Sequence, residues 1–552
     1  MTFQRGEIRW AILFGLGLAF VFYVPYIIGW MMTPPGYHYV WEVYNADEAA
    51  VYDAWMYQAM EGRWIFTDLF TTEPQRPYFF NVFHLFWGKL SGLIFPASAR
   101  EGLPTAVQYG AHLVRLFSNL FFFAVAYWFV SLFFLEVRWR RIAFFALALF
   151  GGLGWLITPL AERMGFGVGK AAYYLPVDVA PGLLMPEATT FMCLLARPLF
   201  AFSMGLVMLI LGGLYLSYST ESWKPAFLAA SAALLLGNVH TYDLVPLMVI
   251  MVLFFLLRWR IERKIVPANL YKTILILAAC LPGLLYAAFV FSLDPIWRAK
   301  AETGTPSPPI LAYILTYLVS LLLTVFVLAF WRSSVKWQLL LLSVPVVLLL
   351  AYLPVSFQRK LIEVLPPILA VLSVGGLMAL WDRWERSNPH PALLTALIVV
   401  FFALITPSGL VNLAQTFALY SQGGIPTGLP PYYMSPGQFD TLFALRENAR
   451  AGGAVLADPM FSAYVPGHTG LKVYVGHWAE TLEFGRKYNV WKQFWEASIS
   501  SAKRKEFCKK NSIRFLVVGP FENYLCKGRP PIQEIAYHIG AFEDHSLWVV
   551  KP

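Results

Sequence analysis

Long apolar runs separated by short polar connections occupy the first three quarters of the chain. Because about 20 apolar residues form a helix long enough to cross a bilayer, these runs predict a polytopic α-helical membrane protein with about 11 transmembrane helices. The predicted spans lie near residues 10–32, 107–136, 142–160, 191–217, 225–241, 243–257, 271–292, 309–330, 337–353, 361–381 and 392–410.

The pattern changes in the last quarter of the chain. The connector "QGGIPTGLPPYYMSPGQ" is rich in proline and glycine, which is typical of a domain boundary. After it, "PGQFDTLFALRENARAG" favours a helix, whereas "GAVLAD", "LKVYVG", "IRFLVVG" and "SLWVV" favour short strands. We therefore predict a transmembrane domain over 1–421, a linker over 422–438 and a small α/β domain over 439–552.

A long polar and aromatic loop, 33–106, follows the first span. Its segment "ADEAAVYDAWMYQAMEG" has helical spacing, with Gly62 available as the stop. The segment "FFNVFHLFWGKLSGLIF" is apolar but carries His84 and Lys89. It predicts either a helix in the membrane interface or a short helix buried under the loop.

Composition and charge agree with membrane insertion. Of the 552 residues, 58% are hydrophobic and only 13% are charged, which excludes an ordinary soluble globule. Lysine and arginine concentrate on one side of the predicted spans, in "RWRR", "RWRIERK", "RSSVK" and "DRWER". The positive-inside rule then predicts a cytoplasmic N-terminus, and an odd number of spans places residues 411–552 outside. The net charge of +10 reflects this topology, so we expect no nucleic-acid partner.

Ionisable residues within or beside the spans gather on the predicted outer side. Such groups are costly in a membrane and are usually functional. Arg359 and Lys360 break the positive-inside trend. They either reach lipid headgroups or bind a phosphate or pyrophosphate. An arginine can bind such an anion through two parallel N–H groups, and a lysine through its point charge. We predict phosphate binding by these two residues together with Arg197. The expected substrate-binding residues are His84, Lys89, Arg115, Glu187, His240 and Asp243.

These features together resemble the C-type (GT-C) superfamily of membrane glycosyltransferases. The resemblance lies in a first span followed directly by an outer loop with an acidic pair, Asp47 and Glu48 in "NADE", and in the predicted interfacial helices, span number and C-terminal domain. The acidic pair is similar to those of protein O-mannosyltransferases and aminoarabinose transferases. The chain also resembles an uncharacterised group of bacterial membrane proteins with similar "LFTTEP", "PEATTF", "SFQRK" and "YVGHWAET" segments.

The resemblance implies a polyprenyl-phosphate-linked sugar donor and transfer to an acceptor at the outer face of the cytoplasmic (inner) membrane. Asp47 is the expected general base, with Glu48 beside it, and no metal is expected. In the alternative, Asp47 and Glu48 hold Mg²⁺ or Mn²⁺. Two other functions stay open: a ligase or polymerase that uses a polyprenyl-pyrophosphate glycan, and a transporter of lipid-linked sugars. The sequence identifies neither the sugar nor the acceptor.

Overall fold

A computed structural model describes residues 4–95, 106–163, 181–331, 333–385, 391–424, 430–496, 498–528 and 532–552. The chain forms two compact units, each described below by itself. Unit 1 comprises Met1–Val24, Arg115–Phe289 and Gly304–Gln415, and unit 2 comprises Pro25–Val114, Val290–Thr303 and Thr416–Pro552. The predicted division at the linker 422–438 stays a prediction.

Helices dominate the described residues, with seven short strands. In chain order the helices are α1 (Glu7–Val21), α2 (Val24–Met31), α3 (Ala46–Met60), α4 (Val82–Ile94), α5 (Ala106–Phe133), α6 (Val137–Leu149), α7 (Gly154–Arg163), α8 (Pro181–Leu184), α9 (Thr190–Ala196), α10 (Pro198–Ser219), α11 (Lys224–Val239), α12 (Leu244–Glu262), α13 (Pro267–Leu293), α14 (Pro295–Glu302), α15 (Ile310–Thr316), α16 (Leu318–Val327), α17 (Val335–Leu350), α18 (Leu365–Glu385), α19 (Pro391–Ile405), α20 (Pro407–Ser421), α21 (Pro436–Asn448), α22 (Pro459–Ser462), α23 (Val465–Thr469), α24 (Phe484–Trp495), α25 (Ser501–Lys510) and α26 (Pro520–Leu525). The strands are β1 (His38–Tyr39), β2 (Tyr433–Met434), β3 (Ala454–Leu456), β4 (Lys472–Val473), β5 (Ile513–Val518), β6 (Ala536–Phe542) and β7 (His545–Val550). Short 3₁₀ segments lie at Pro186–Ala188, Thr241–Asp243, Leu328–Phe330, Gln358–Val364 and Ala449–Ala451.

The apolar runs form helices because a helix satisfies its own backbone hydrogen bonds, which lipid cannot do. Within the described residues, 6 helices are long and apolar enough to span a bilayer, and the number rises to 9 if each of three sharply bent helix pairs is one span. Two further predicted spans form the shorter apolar helices α11 and α17. The fold class, a polytopic helical membrane protein with a small C-terminal sheet region, is therefore confirmed, whereas the number of about 11 spans stays a prediction.

Unit 1 is a helical bundle whose helices break at polar residues. The predicted fourth span stops at Arg197 and resumes at Pro198, since Arg197 has a non-helical backbone between α9 and α10. The chain breaks again at His240, between α11 and the 3₁₀ turn that precedes α12. Elsewhere the packing is close: a Cβ on Gly283 of α13 would lie 2.5 Å from the carbonyl oxygen of Gly237 in α11. The two breaks present polar side chains inside an otherwise apolar bundle.

Unit 2 combines the first loop with the C-terminal residues. The predicted loop helices are α3 and α4, and Gly62, with a φ of 96°, follows the end of α3. Strand β1 from the loop pairs antiparallel with β2, so that Tyr39 lies opposite Tyr433. The main sheet has the order β4-β3-β5-β7-β6, parallel from β4 to β5 and antiparallel beyond it. Trp491 and Trp495 of α24 are fully buried in its core.

Candidate functional site

Asp47 is a buried carboxylate at the start of α3 in unit 2. Asn45 precedes the helix in a left-handed conformation, with a φ of 54°, which turns the chain abruptly into α3. Asp47 lies in the first helical turn with 1% exposure. The positive end of the helix dipole stabilises a carboxylate at this position. The acidic pair of the loop therefore begins a helix, and one of its members points into the interior of the unit.

His477 lies next to Asp47, although 430 positions separate them in the chain. Its Nε2 is 3.5 Å from Oδ2 of Asp47, and its side chain is almost completely buried. The backbone N–H of Ala479 donates to Nδ1 of the ring at 3.2 Å. Because Nδ1 accepts this bond, a neutral ring carries its proton on Nε2, facing the Asp47 carboxylate. His477 is thus positioned to orient Asp47.

Glu48 faces a different environment from Asp47. It is half-buried, and Oε1 accepts a hydrogen bond from the Tyr52 hydroxyl at 3.1 Å. Tyr52 stacks on the ring of His84 at 4.7 Å between centroids. The two carboxylates contact different side chains, as expected from the 100° turn between successive helical residues. The metal-free base and the Mg²⁺ or Mn²⁺ alternative both stay predictions.

The two predicted ligands on α4 are held by neighbours within unit 2. His84 is buried, and its Nδ1 lies 2.7 Å from Oδ1 of Asn81. The Lys89 ammonium lies over the ring of Trp64, 4.8 Å from its centroid. These contacts give each side chain a defined position in the folded loop, and their predicted contacts with substrate stay predictions.

A second charged group in unit 2 links the "LFTTEP" and "YVGHWAET" segments. The Thr481 hydroxyl donates to the Phe70 carbonyl at 3.0 Å, which ties the two segments together. Lys300 forms an ion pair with Glu480, and its ammonium also lies over the ring of Trp297. Asp68 is 1% exposed; burial raises its pKa to about 7, although the Lys300 charge acts in the opposite direction. This group therefore contains a carboxyl that titrates near neutral pH.

In unit 1, the "PEATTF" and "SFQRK" segments meet through an ion pair. Nε of Arg359 donates to Oε1 of Glu187 at 2.6 Å. The Lys360 ammonium lies 4.7 Å from the centroid of the Tyr242 ring. Both cations are half-buried on the 3₁₀ segment Gln358–Val364. The bond to Glu187 fixes the direction of the Arg359 guanidinium. A side chain that only reaches toward lipid headgroups does not require a fixed direction.

The remaining predicted residues of unit 1 are all buried. Arg197 is 1% exposed at the break between α9 and α10, and Arg115 is 2% exposed in α5. His240 and Asp243 lie at the break between α11 and α12, where Nδ1 of His240 is 3.1 Å from Oδ2 of Asp243. The same nitrogen lies 3.2 Å from Oε2 of Glu363. The structure thus brings together His240, Asp243 and Glu363, of which sequence reasoning had selected only the first two.

Sequence reasoning did not select several charged or polar side chains of these groups, namely His477, Asp68, Lys300, Glu480 and Glu363. Four of them lie in or beside segments that carry the resemblance. His477 and Glu480 occur in "YVGHWAET". Asp68 directly precedes "LFTTEP", and Glu363 follows "SFQRK". The segments were therefore a usable signal, but the pairing between them was not visible along the chain.

Comparisons with known proteins show the fold. No family model and no curated protein sequence matches the chain. The oligosaccharyltransferase of Archaeoglobus fulgidus, tethered to an acceptor peptide, is similar in structure with a TM-score of 0.56 and 12% identity, over 98% of this chain and 74% of that one. The same protein in complex with an inhibitory peptide and a dolichol-phosphate has a TM-score of 0.52 and 12% identity, over 95% and 73%. ArnT from Cupriavidus metallidurans bound to undecaprenyl phosphate has a TM-score of 0.47 and 12% identity, over 97% and 99%. The similarity to the oligosaccharyltransferase, with TM-scores above 0.5, shows that the chain has the GT-C-like fold that its sequence predicted.

Proposed function

We propose that the chain is a membrane glycosyltransferase that moves a sugar from a polyprenyl-phosphate-linked donor to an acceptor at the extracytoplasmic membrane face. The observation that carries this proposal is the buried Asp47 carboxylate at the start of the first loop helix, with the His477 imidazole beside it. The similar fold of an oligosaccharyltransferase whose structure contains a dolichol-phosphate supports the donor class.

In the proposed reaction, Asp47 accepts the proton of the acceptor nucleophile as that atom attacks the anomeric carbon. The bond between this carbon and the phosphate oxygen breaks, and polyprenyl phosphate leaves with the bonding electrons. A carboxylate suits this role because, within hydrogen-bond reach of the nucleophile, it accepts the proton in the transition state. We assign His477 the role of orienting this carboxylate, because its Nε2 faces Oδ2 of Asp47 at 3.5 Å.

We assign the donor phosphate to Arg359 and Lys360, with Arg197 as a further cation. Glu187 supports this assignment because it holds the guanidinium in one orientation before any ligand binds. A cation fixed in advance stabilises the charge that develops on a leaving phosphate without a cost of reorganisation. The diverging contacts of Asp47 and Glu48 favour the metal-free base over the Mg²⁺ or Mn²⁺ alternative.

The reaction class is tested with the full chain purified in detergent. It is incubated with synthetic polyprenyl-phosphate hexoses and pentoses, with a cell-envelope extract as the source of acceptor, and released polyprenyl phosphate is measured. We expect release from at least one donor, dependent on the extract. Polyprenyl-pyrophosphate glycans are tested in parallel, and release of polyprenyl pyrophosphate from them, with no release from the monophosphate donors, would indicate the ligase or polymerase instead. Binding of the donors without any release would indicate the transporter.

A further inference from the structure

Three ionisable side chains of unit 1 converge at the break between α11 and α12. His240, Asp243 and Glu363 each offer a ligand atom, and these atoms lie within 4.8 Å of one another. His240 and Asp243 flank the 3₁₀ turn before α12, and Glu363 belongs to the 3₁₀ segment before α18. Exposure is 5% for His240 and 0% for both acids. Two separate turns of backbone thus bring one imidazole and two carboxylates to one buried point.

The hydrogen bonding of this cluster is incomplete. Within the part of the chain that the structure describes, no group donates a hydrogen bond to either carboxylate oxygen of Glu363 or to Oδ1 of Asp243. Nδ1 of His240 lies 3.1 Å from Asp243 and 3.2 Å from Glu363, yet a ring nitrogen carries only one proton. Buried carboxylate oxygens without donors are costly. These acceptor atoms therefore lie close together with no lysine or arginine within 4 Å of them among the residues that the structure describes.

The net negative charge of the cluster also favours binding of a cation. Among the described residues, His240 is the ion-pair partner of both acids, and no lysine or arginine contacts either carboxylate within 4 Å. With a neutral imidazole the cluster carries two negative charges, and with an imidazolium it still carries one. Buried charges in a helical membrane protein are normally compensated. A divalent cation would neutralise the cluster completely.

We propose that His240, Asp243 and Glu363 bind one divalent metal ion of the Zn²⁺ or Mn²⁺ class. One nitrogen and two oxygen donors suit these ions, whereas Mg²⁺ and Ca²⁺ favour oxygen ligands alone. The separations of 3.1 and 3.2 Å from the ring nitrogen are those of neighbouring ligands around a metal with bonds of about 2.1 Å. The ion would fasten the turn before α12 to the segment that carries Arg359 and Lys360. The site is independent of Asp47 and of the proposed sugar transfer.

The proposal is tested on the full chain in detergent, stripped with a chelator and then equilibrated with ZnCl₂ or MnCl₂. Bound metal is measured by mass spectrometry after gel filtration. We expect about one equivalent per wild-type chain and a loss of at least tenfold in affinity for Glu363→Gln and Asp243→Asn. Asp47→Asn and Glu187→Gln are the matched controls, because they neutralise buried acids outside the cluster, and they should retain the metal. Retention by Glu363→Gln together with loss by Asp47→Asn would overturn the proposal.

A second measurement uses only the wild-type chain, so it tests the proposal even if the variants fail to fold. The thermal midpoint of the stripped wild-type chain should rise by several degrees on addition of the bound ion, since a ligand of the folded state stabilises it. X-ray absorption of the zinc-loaded wild type should show one imidazole among oxygen ligands and no sulfur. Absence of any metal-dependent shift would overturn the proposal and indicate that the two acids share a proton instead. A zinc shell with two or more imidazoles would also overturn it, because the cluster contains one histidine.

Discussion

Arg359 donates from Nε to Oε1 of Glu187 across 2.6 Å, and these residues lie 172 positions apart in the chain. Arg359 is partly exposed, whereas Glu187 is almost completely buried. Removing the arginine therefore has two separate consequences: loss of a cation for the ligand, and an uncompensated carboxylate inside unit 1. These consequences can be separated by experiment.

We expect Arg359→Ala to weaken binding of a polyprenyl phosphate in detergent. A charge-assisted contact contributes about 1.5–3 kcal/mol, which corresponds to roughly 10- to 160-fold in Kd. Arg298→Ala removes an exposed arginine of α14 and should leave Kd unchanged. The double variant Arg359→Ala with Glu187→Gln should regain the thermal stability lost in the single variant without regaining affinity. Wild-type affinity in this double variant would return Arg359 to a structural role.

We expect Asp47→Asn to lower the rate of sugar transfer by about 10²–10⁴-fold, the usual cost of losing a general base. The amide keeps the shape of the side chain but does not accept the proton. Donor affinity should be retained, since the substitution leaves Arg359 and Lys360 intact. Asp53→Asn, on the same helix, is the control and should keep near wild-type transfer. Transfer at the wild-type rate by Asp47→Asn would refute the assignment.

We expect His477→Gln to lower the rate less than Asp47→Asn does. His477 orients the carboxylate, so its loss should be masked once Asp47 is already asparagine, and the effects in the double variant should not add. A glutamine amide can still donate toward Asp47, so His477→Gln should be more active than His477→Ala. Fully additive losses in the double variant would mean that the two residues act independently.

We expect the stability of the C-terminal sheet region to fall as pH rises from about 4.5 to about 8. Burial and the nearby Asp458 carboxylate raise the pKa of Glu522 to about 8, and burial raises the pKa of Asp458 to about 6. The folded state therefore binds more protons than the unfolded state in this range, so alkali favours opening. Hydrogen exchange of the α26 amides is measured against pH and corrected for the intrinsic pH dependence of exchange. For each group with a raised pKa, the protection factor should fall by up to about tenfold per pH unit. Glu522→Gln should flatten this dependence, and an unchanged slope would contradict the assignment.

We expect a cysteine at Lys505, exposed on α25, to react with an impermeant maleimide added to intact cells. A cysteine at Ser333, exposed before α17, should react only after the cells are lysed. The reason is the predicted orientation, with a cytoplasmic N-terminus and residues 411–552 outside. The wild-type chain is the control, since its four cysteines are buried. The reverse labelling would overturn the orientation and the outer-face donor site with it.

Local patterns predicted much of the secondary structure. The segments predicted as α3, α4 and α21 are helices, and those predicted as β3, β4, β5 and β7 are strands. Strand β6 was not predicted. Its segment "AYHIGAF" lies at the edge of the sheet with mostly exposed side chains, so it lacks the apolar run of a buried strand.

The sequence by itself determined that this protein is a helical membrane protein with an acidic first loop and a C-terminal α/β region. Apolar length, glycine and proline positions and the Lys/Arg distribution are local properties, and they act through the neighbouring backbone and the surrounding solvent or lipid.

Only the tertiary structure decided which charged side chains meet. His477 faces Asp47, Glu187 pairs with Arg359, and Glu363 completes a cluster with His240. Each partnership joins residues more than 100 positions apart, so no periodicity along the chain encodes it. Burial makes these contacts energetically important. A charge removed from water loses its hydration, and only the side chains that the fold places beside it can compensate for that loss.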